Sequence, residues 1–67
     1  MTSVPSMFAD VTAALEDMHG VAVEGQSKSQ TPDMQAALLM SLRHGLTNLD
    51  RLLAGIALLI LLDDPTP

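Results

Sequence analysis

Apolar residues recur at alternating intervals of three and four positions through the second half of the chain. This spacing places them on one stripe of a helix with a heptad period. These residues, together with Leu59 on the edge of the stripe, form the predicted interface. Its members are Leu39, Leu42, Leu46, Leu49, Leu53, Ile56, Leu59 and Ile60. Thr31 and Pro32 are suited to the N-cap and the first position of this helix, and Pro65 cannot continue it. The pattern predicts one long helix over residues 32–63.

Polar residues occupy the opposite side of this helix, but only over its first two thirds. They are Ser41, Arg43, His44, Thr47, Asn48, Asp50 and Arg51. Residues 52–62 are apolar around the whole circumference. A helical segment of this kind must be buried on all sides, either in protein or in lipid.

The first half of the chain carries a shorter helical pattern. The apolar positions are Met7, Phe8, Val11, Ala14, Leu15 and Met18. They predict a helix over residues 6–19, which Ser3 or Ser6 could cap and which Gly20 would end. This first helix has acidic residues on its other face.

The segments outside the two helices are predicted to be a connection and a tail. Residues 20–31 form the connection, in which four residues from Val21 could be a short extended segment, and residues 64–67 form an extended tail. A connection of this length lets the first helix fold back antiparallel on residues 34–50. That pairing would leave residues 52–62 without a partner inside the chain.

These elements predict an all-α fold in which residues 1–67 form a single small domain, a short-long antiparallel helical hairpin. A chain of 67 residues buries only about 60% of the surface of its unfolded form and is marginally stable alone. It contains no cysteine, so disulfides cannot add stability. We therefore expect the hairpins to assemble into a homo-oligomeric bundle of the four-helix type, or to dock on a larger protein. Gly45 and Gly55 each destabilise a helix interior by about 1 kcal/mol relative to alanine. Their presence in the long helix predicts that another helix approaches it closely at these positions.

Charge and aromatic content narrow the range of partners. The net charge is -5, with three basic residues, and Phe8 is the only aromatic residue. Attraction to nucleic-acid phosphates and stacking on bases are therefore not expected. The N-terminal residues lack a basic region followed by an apolar run, which predicts a cytoplasmic protein.

No residue pattern indicates catalysis, a cofactor or a metal site. His19 and His44 are the only histidines, lie in different predicted helices and have no further ligand at suitable spacing. Ser41 and His44 are three positions apart and could touch, but a nucleophile also needs an orienting group and an oxyanion site. We predict that the protein is not an enzyme and uses no cofactor.

Two functions follow from the apolar end of the long helix. The first is a non-catalytic module for oligomerisation and protein interaction, which forms a homodimer or a tetramer. Such a module would act as a regulator or an adaptor of a larger protein. An antiparallel pairing of two long helices, centred near Leu53, would bring Arg43 towards Asp63 of a second copy.

The alternative is a membrane-associated protein anchored by its C-terminal helix, as in tail-anchored or holin-like proteins. The eleven apolar residues 52–62 reach only about 16 Å of the roughly 30 Å hydrocarbon core, which favours the first function.

Overall fold

The computed structural model describes residues 3–62. Two α-helices account for most of them: α1, Val4–Glu24, and α2, Pro32–Leu62. The helices run antiparallel and pack against each other. Residues 3–62 contain no strand, so the predicted all-α hairpin of a shorter and a longer helix is confirmed for this part of the chain.

α1 is longer than the sequence pattern indicates. It begins at Val4, where the Ser3 hydroxyl accepts a hydrogen bond of 3.2 Å from the backbone N–H of Ser6. It continues through Gly20 and ends at Glu24, so the predicted helix end at Gly20 is wrong. The reason is packing: Val21 is half-buried against α2, and this burial outweighs the cost of roughly 1 kcal/mol for a glycine inside a helix.

The connection is correspondingly shorter than predicted and spans residues 25–31. The segment from Val21 to Glu24 is helical rather than extended, because its residues complete the last turn of α1. Gln30 ties the connection to this turn through a 3.3 Å hydrogen bond from its side-chain Nε2 to the carbonyl oxygen of Glu24.

α2 begins where the sequence predicts. The Thr31 hydroxyl accepts a 3.2 Å hydrogen bond from the backbone N–H of Met34, and Pro32 is the first helical residue. The N-cap prediction is confirmed. The predicted end of this helix at Asp63 and the tail of residues 64–67 lie outside the described residues.

The two helices meet along a seam of residues at alternating intervals of three and four. The seam consists of Val4, Met7, Val11, Ala14, Met18 and Val21 on α1 and of Leu38, Leu42, Gly45, Leu49, Leu52, Ile56 and Leu59 on α2. Only Ile56, 4% exposed, is fully buried among the described residues. The others are half-buried. This spacing is the heptad pattern of a two-helix coiled coil. The surfaces on either side of the seam therefore remain in contact with solvent.

Two glycines fix the register of the seam. A Cβ added to Gly45 would lie 2.8 Å from Cγ of Met18, and one added to Gly55 would lie 2.7 Å from Cε of Met7. The predicted close helix approach at both glycines is confirmed. The second contact also corrects the expectation that α1 leaves residues 52–62 uncovered. Because α1 begins at Val4, its first two turns pack on this segment, and Ile56 is buried there.

Candidate interaction surface

The hairpin is a flat pair of helices whose two broad faces differ in chemistry. Antiparallel helices are related by an approximate twofold axis normal to the plane of the pair. Such an axis leaves each broad face unchanged, so equivalent heptad positions of the two helices share a face. The positions directly after Met7, Ala14 and Val21 on α1 therefore share a face with those directly after Leu38, Gly45, Leu52 and Leu59 on α2.

We call this surface the apolar face. Its residues are Phe8, Leu15 and Ala22 on α1 and Leu39, Leu46, Leu53 and Ile60 on α2. A shallow groove lined by both Ala22 and Leu39 confirms that residues of the two helices meet on it. Apart from Ala22, its side chains are between 51% and 58% exposed. About half of the surface of each of these residues is therefore exposed, and together they form a row of apolar side chains on each helix.

The residues of the apolar face lie at matching levels along the two helices. The register set by Gly45 and Gly55 places Phe8 beside Leu53, Leu15 beside Leu46, and Ala22 beside Leu39, each pair within about 3 Å along the helix axis. Within each helix the successive residues are seven positions apart. The apolar face is therefore a regular double row rather than a scatter of exposed residues. Extended apolar surfaces of this kind mark interaction sites on soluble proteins.

The structure divides the eight predicted interface residues into two sets. Leu42, Leu49, Ile56 and Leu59 lie in the seam and pack on α1, whereas Leu39, Leu46, Leu53 and Ile60 lie on the apolar face. The sequence analysis did not assign Phe8, Leu15 and Ala22 to an interface. Their spacing of seven residues was the signal that could have identified them.

The opposite surface, which we call the polar face, carries Asp10, Asp17 and Glu24 on α1 and Ser41 and Asn48 on α2. An open groove of about 420 Å³ runs along it between the helices. Asp17, Ser41, His44, Asn48 and Arg51 are among the residues that line this groove. The polar face therefore brings polar side chains from the middle of α2 together with three of the four acidic residues of α1.

The residues considered for chemistry are distributed over both faces. Ser41 and His44 both line the groove of the polar face. His19 belongs to α1 and lies at the edge of the apolar face, so the two histidines do not meet. No group of three or more histidine, aspartate or glutamate residues within the described chain is placed to hold a metal ion.

The C-terminal end of α2 has a third exposed surface. Leu58, Leu61 and Leu62 are 55%, 71% and 73% exposed and lie outside both the seam and the apolar face. Judged by length and composition alone, α2 could cross a membrane, and only 6% of its most apolar 18-residue window is buried in the hairpin. Association through the apolar face would leave these three leucines uncovered.

Comparison of the chain with protein-family models, with curated proteins and with solved structures gives no match.

Proposed function

We propose that this chain is a small non-catalytic module for oligomerisation and protein interaction that acts through its apolar face. As a module of this kind it would regulate a larger protein or serve as its adaptor. The observation that carries the proposal is the continuous double row of half-exposed apolar side chains contributed by both helices. No polar side chain interrupts this row within the described residues.

The small core of the hairpin supports association. Ile56 is the single fully buried residue within residues 3–62, and a core of this size is too small to stabilise the hairpin alone.

The test compares one substitution on each face. Leu46→Glu places a charge in the middle of the apolar face, and Asn48→Glu places the same charge on the polar face two residues later. We expect light scattering after size exclusion to show an associated wild-type protein, a dissociated Leu46→Glu variant and an associated Asn48→Glu variant. The reason is that a carboxylate buried without a partner is strongly unfavourable, whereas one in solvent is not. If Leu46→Glu associates as tightly as the wild type, the apolar face is not the interaction site.

Membrane association is the second candidate, and the apolar length of α2 favours it. A span ending at Leu62 would include Asn48, Asp50 and Arg51, and each charged residue costs about 2.5 to 3.5 kcal/mol at the membrane centre. Flotation with neutral phospholipid vesicles separates the candidates. Membrane insertion predicts that the wild type floats and that Leu61→Glu prevents this. Association through the apolar face predicts that the protein stays with the soluble fraction and that Leu61→Glu leaves its molar mass unchanged.

A further inference from the structure

We infer that the apolar face binds the apolar face of a second copy, about a twofold axis that crosses the helices at right angles at the level of Leu15 and Leu46. This inference rests on the proposed function and specifies both the partner and its orientation. In this arrangement α1 packs antiparallel on α1 of the second copy, and α2 packs antiparallel on α2. Three observations support it: the symmetry of the rows, the sizes of their residues and the charges at their edge.

The rows are symmetric about the proposed axis. On α2 the row continues one heptad back from Leu39 to Pro32, so that Leu46 is its central member between Pro32 and Ile60. On α1 the central member is Leu15, which lies within about 3 Å of the level of Leu46. A twofold axis at this level places Leu46 opposite Leu46 of the second copy, and Leu39 opposite Leu53 of the second copy. The row of α1 thus overlaps over its full length and the row of α2 from Leu39 to Leu53, while Ile60 lies opposite Pro32 of the second copy.

The sizes of the α1 residues are also complementary under this axis. It places Phe8, the largest residue of the face, opposite Ala22 of the second copy, the smallest. In the other twofold arrangement the axis is parallel to the helices, and α1 stacks on α2 of the second copy. Residues at one level along the helices then face residues of the second copy at the same level. This arrangement would crowd two phenylalanines and two leucines at the level of Phe8 and leave space at the level of Ala22. Close packing therefore favours the perpendicular axis, because both overpacked and underpacked layers are unfavourable.

The charges at the edge of the apolar face point to the same axis. Arg43 and Asp50 lie three positions before and four positions after Leu46 and flank it on the outer edge of α2. Neither has a charged residue three or four positions away in its own helix. The perpendicular axis brings Arg43 beside Asp50 of the second copy, twice in the dimer. The parallel axis would instead place Arg43 beside His19, which offers no negative charge.

This axis differs from the pairing centred near Leu53 that the sequence suggests. A centre at Leu53 would place the row of α1 off the axis, because Leu53 lies beside Phe8 at the end of that row rather than beside Leu15. Asp63, the partner proposed there for Arg43, lies outside the described residues.

Disulfide trapping tests the orientation directly, since the chain has no cysteine of its own. The variants Leu15→Cys and Leu46→Cys are prepared separately and oxidised mildly, each alone and as a mixture. We expect each variant alone to form a covalent dimer efficiently and the mixture to yield few disulfides between the two different variants. The parallel axis predicts the reverse, with efficient cross-linking in the mixture and poor cross-linking of each variant alone. The reverse result would overturn the inference.

Charge exchange provides a second test that leaves the apolar residues intact. Arg43→Asp and Asp50→Arg should each weaken dimerisation by roughly tenfold or more in low salt, because two attractive contacts become repulsive. The double variant should recover to within about threefold of the wild type, since the pairs form again with exchanged signs. Arg51→Asp, which changes the charge on the polar face by the same amount, is the control and should have little effect.

The outcomes separate the inference from the proposed function. Suppose that the wild type is a dimer and that Leu46→Glu dissociates it, but that the disulfide pattern or the charge exchange contradicts the perpendicular axis. The proposed function then stands, and the inferred orientation is wrong. A wild-type monomer overturns the second copy as the partner. If in addition Leu46→Glu changes no binding to vesicles or to detergent, the apolar face has no interaction role and the proposed function is also wrong.

Discussion

The apolar and polar faces flank the same seam with equivalent backbone positions, yet they carry opposite chemistry. Phe8 and Leu15 on one face correspond to Asp10 and Asp17 on the other. A hairpin that required only its own seam could carry polar residues on both faces, because the contacts between α1 and α2 are made by the seam residues. The apolar face therefore needs an explanation beyond the fold of the single chain, and we propose association as that explanation.

The polar face shows how association would be restricted to one side. Asp10, Asp17 and Glu24 follow one another at intervals of seven residues, which corresponds to about 10 Å along the helix. If two copies approached through this face, their rows of carboxylates would repel each other and lose hydration. In the proposed assembly, this repulsion would disfavour pairing through the polar face.

The largest effect should come from removing this difference between the faces. In a variant with Asp10, Asp17 and Glu24 all replaced by leucine, the α1 half of the polar face becomes apolar and its negative charges are lost, and we expect large or polydisperse assemblies in place of a discrete species. Light scattering after size exclusion measures the change. The control is Glu16→Leu, which removes an acid from the outer surface of α1 and should leave the molar mass unchanged. A triple variant with the wild-type molar mass would show that the acids do not limit assembly.

The next effect concerns the seam, which both faces share. Ile56→Ala removes most of the only fully buried side chain among the described residues and should lower the free energy of unfolding by about 2 to 5 kcal/mol. Leu61→Ala is the matched control, because Leu61 is 71% exposed, and its effect should stay within about 0.5 kcal/mol. Urea unfolding followed by circular dichroism measures both. Equal losses in the two variants would contradict the assignment of Ile56 to the core.

The contrast between seam and faces also defines how far the sequence could predict the fold. The heptad spacing of leucines and the Thr31-Pro32 cap gave α2 and its beginning, since these signals are local. The end of α1 was missed because Gly20 resembles a local stop, whereas Val21 holds the helix together through a contact with α2. Local patterns cannot reveal such a contact before the register is known.

The interface prediction was limited for a related reason. A stripe of apolar residues on α2 contains both the seam and the apolar face, and the sequence of one helix cannot divide them. The structure separates Leu42 and Leu49, which contact α1, from Leu39 and Leu46, which face outward. On α1 the spacing of seven residues could have identified Phe8, Leu15 and Ala22, but only the register shows that Leu15 lies beside Leu46.

The smallest effect comes from glycines that sit on different surfaces of the hairpin. A Cβ added to Gly20 meets no atom within 4 Å, whereas one added to Gly45 would lie 2.8 Å from Cγ of Met18. Gly20→Ala should therefore raise the free energy of unfolding by roughly 1 kcal/mol, the full gain in helix propensity. Gly45→Ala should gain less or lose stability, because Met18 must move out of the seam to admit the new methyl group. Thermal unfolding followed by circular dichroism compares the two variants. Equal stabilisation by both would mean that Gly45 is not in close contact with α1, and the register that aligns the two rows of the apolar face would have to be revised.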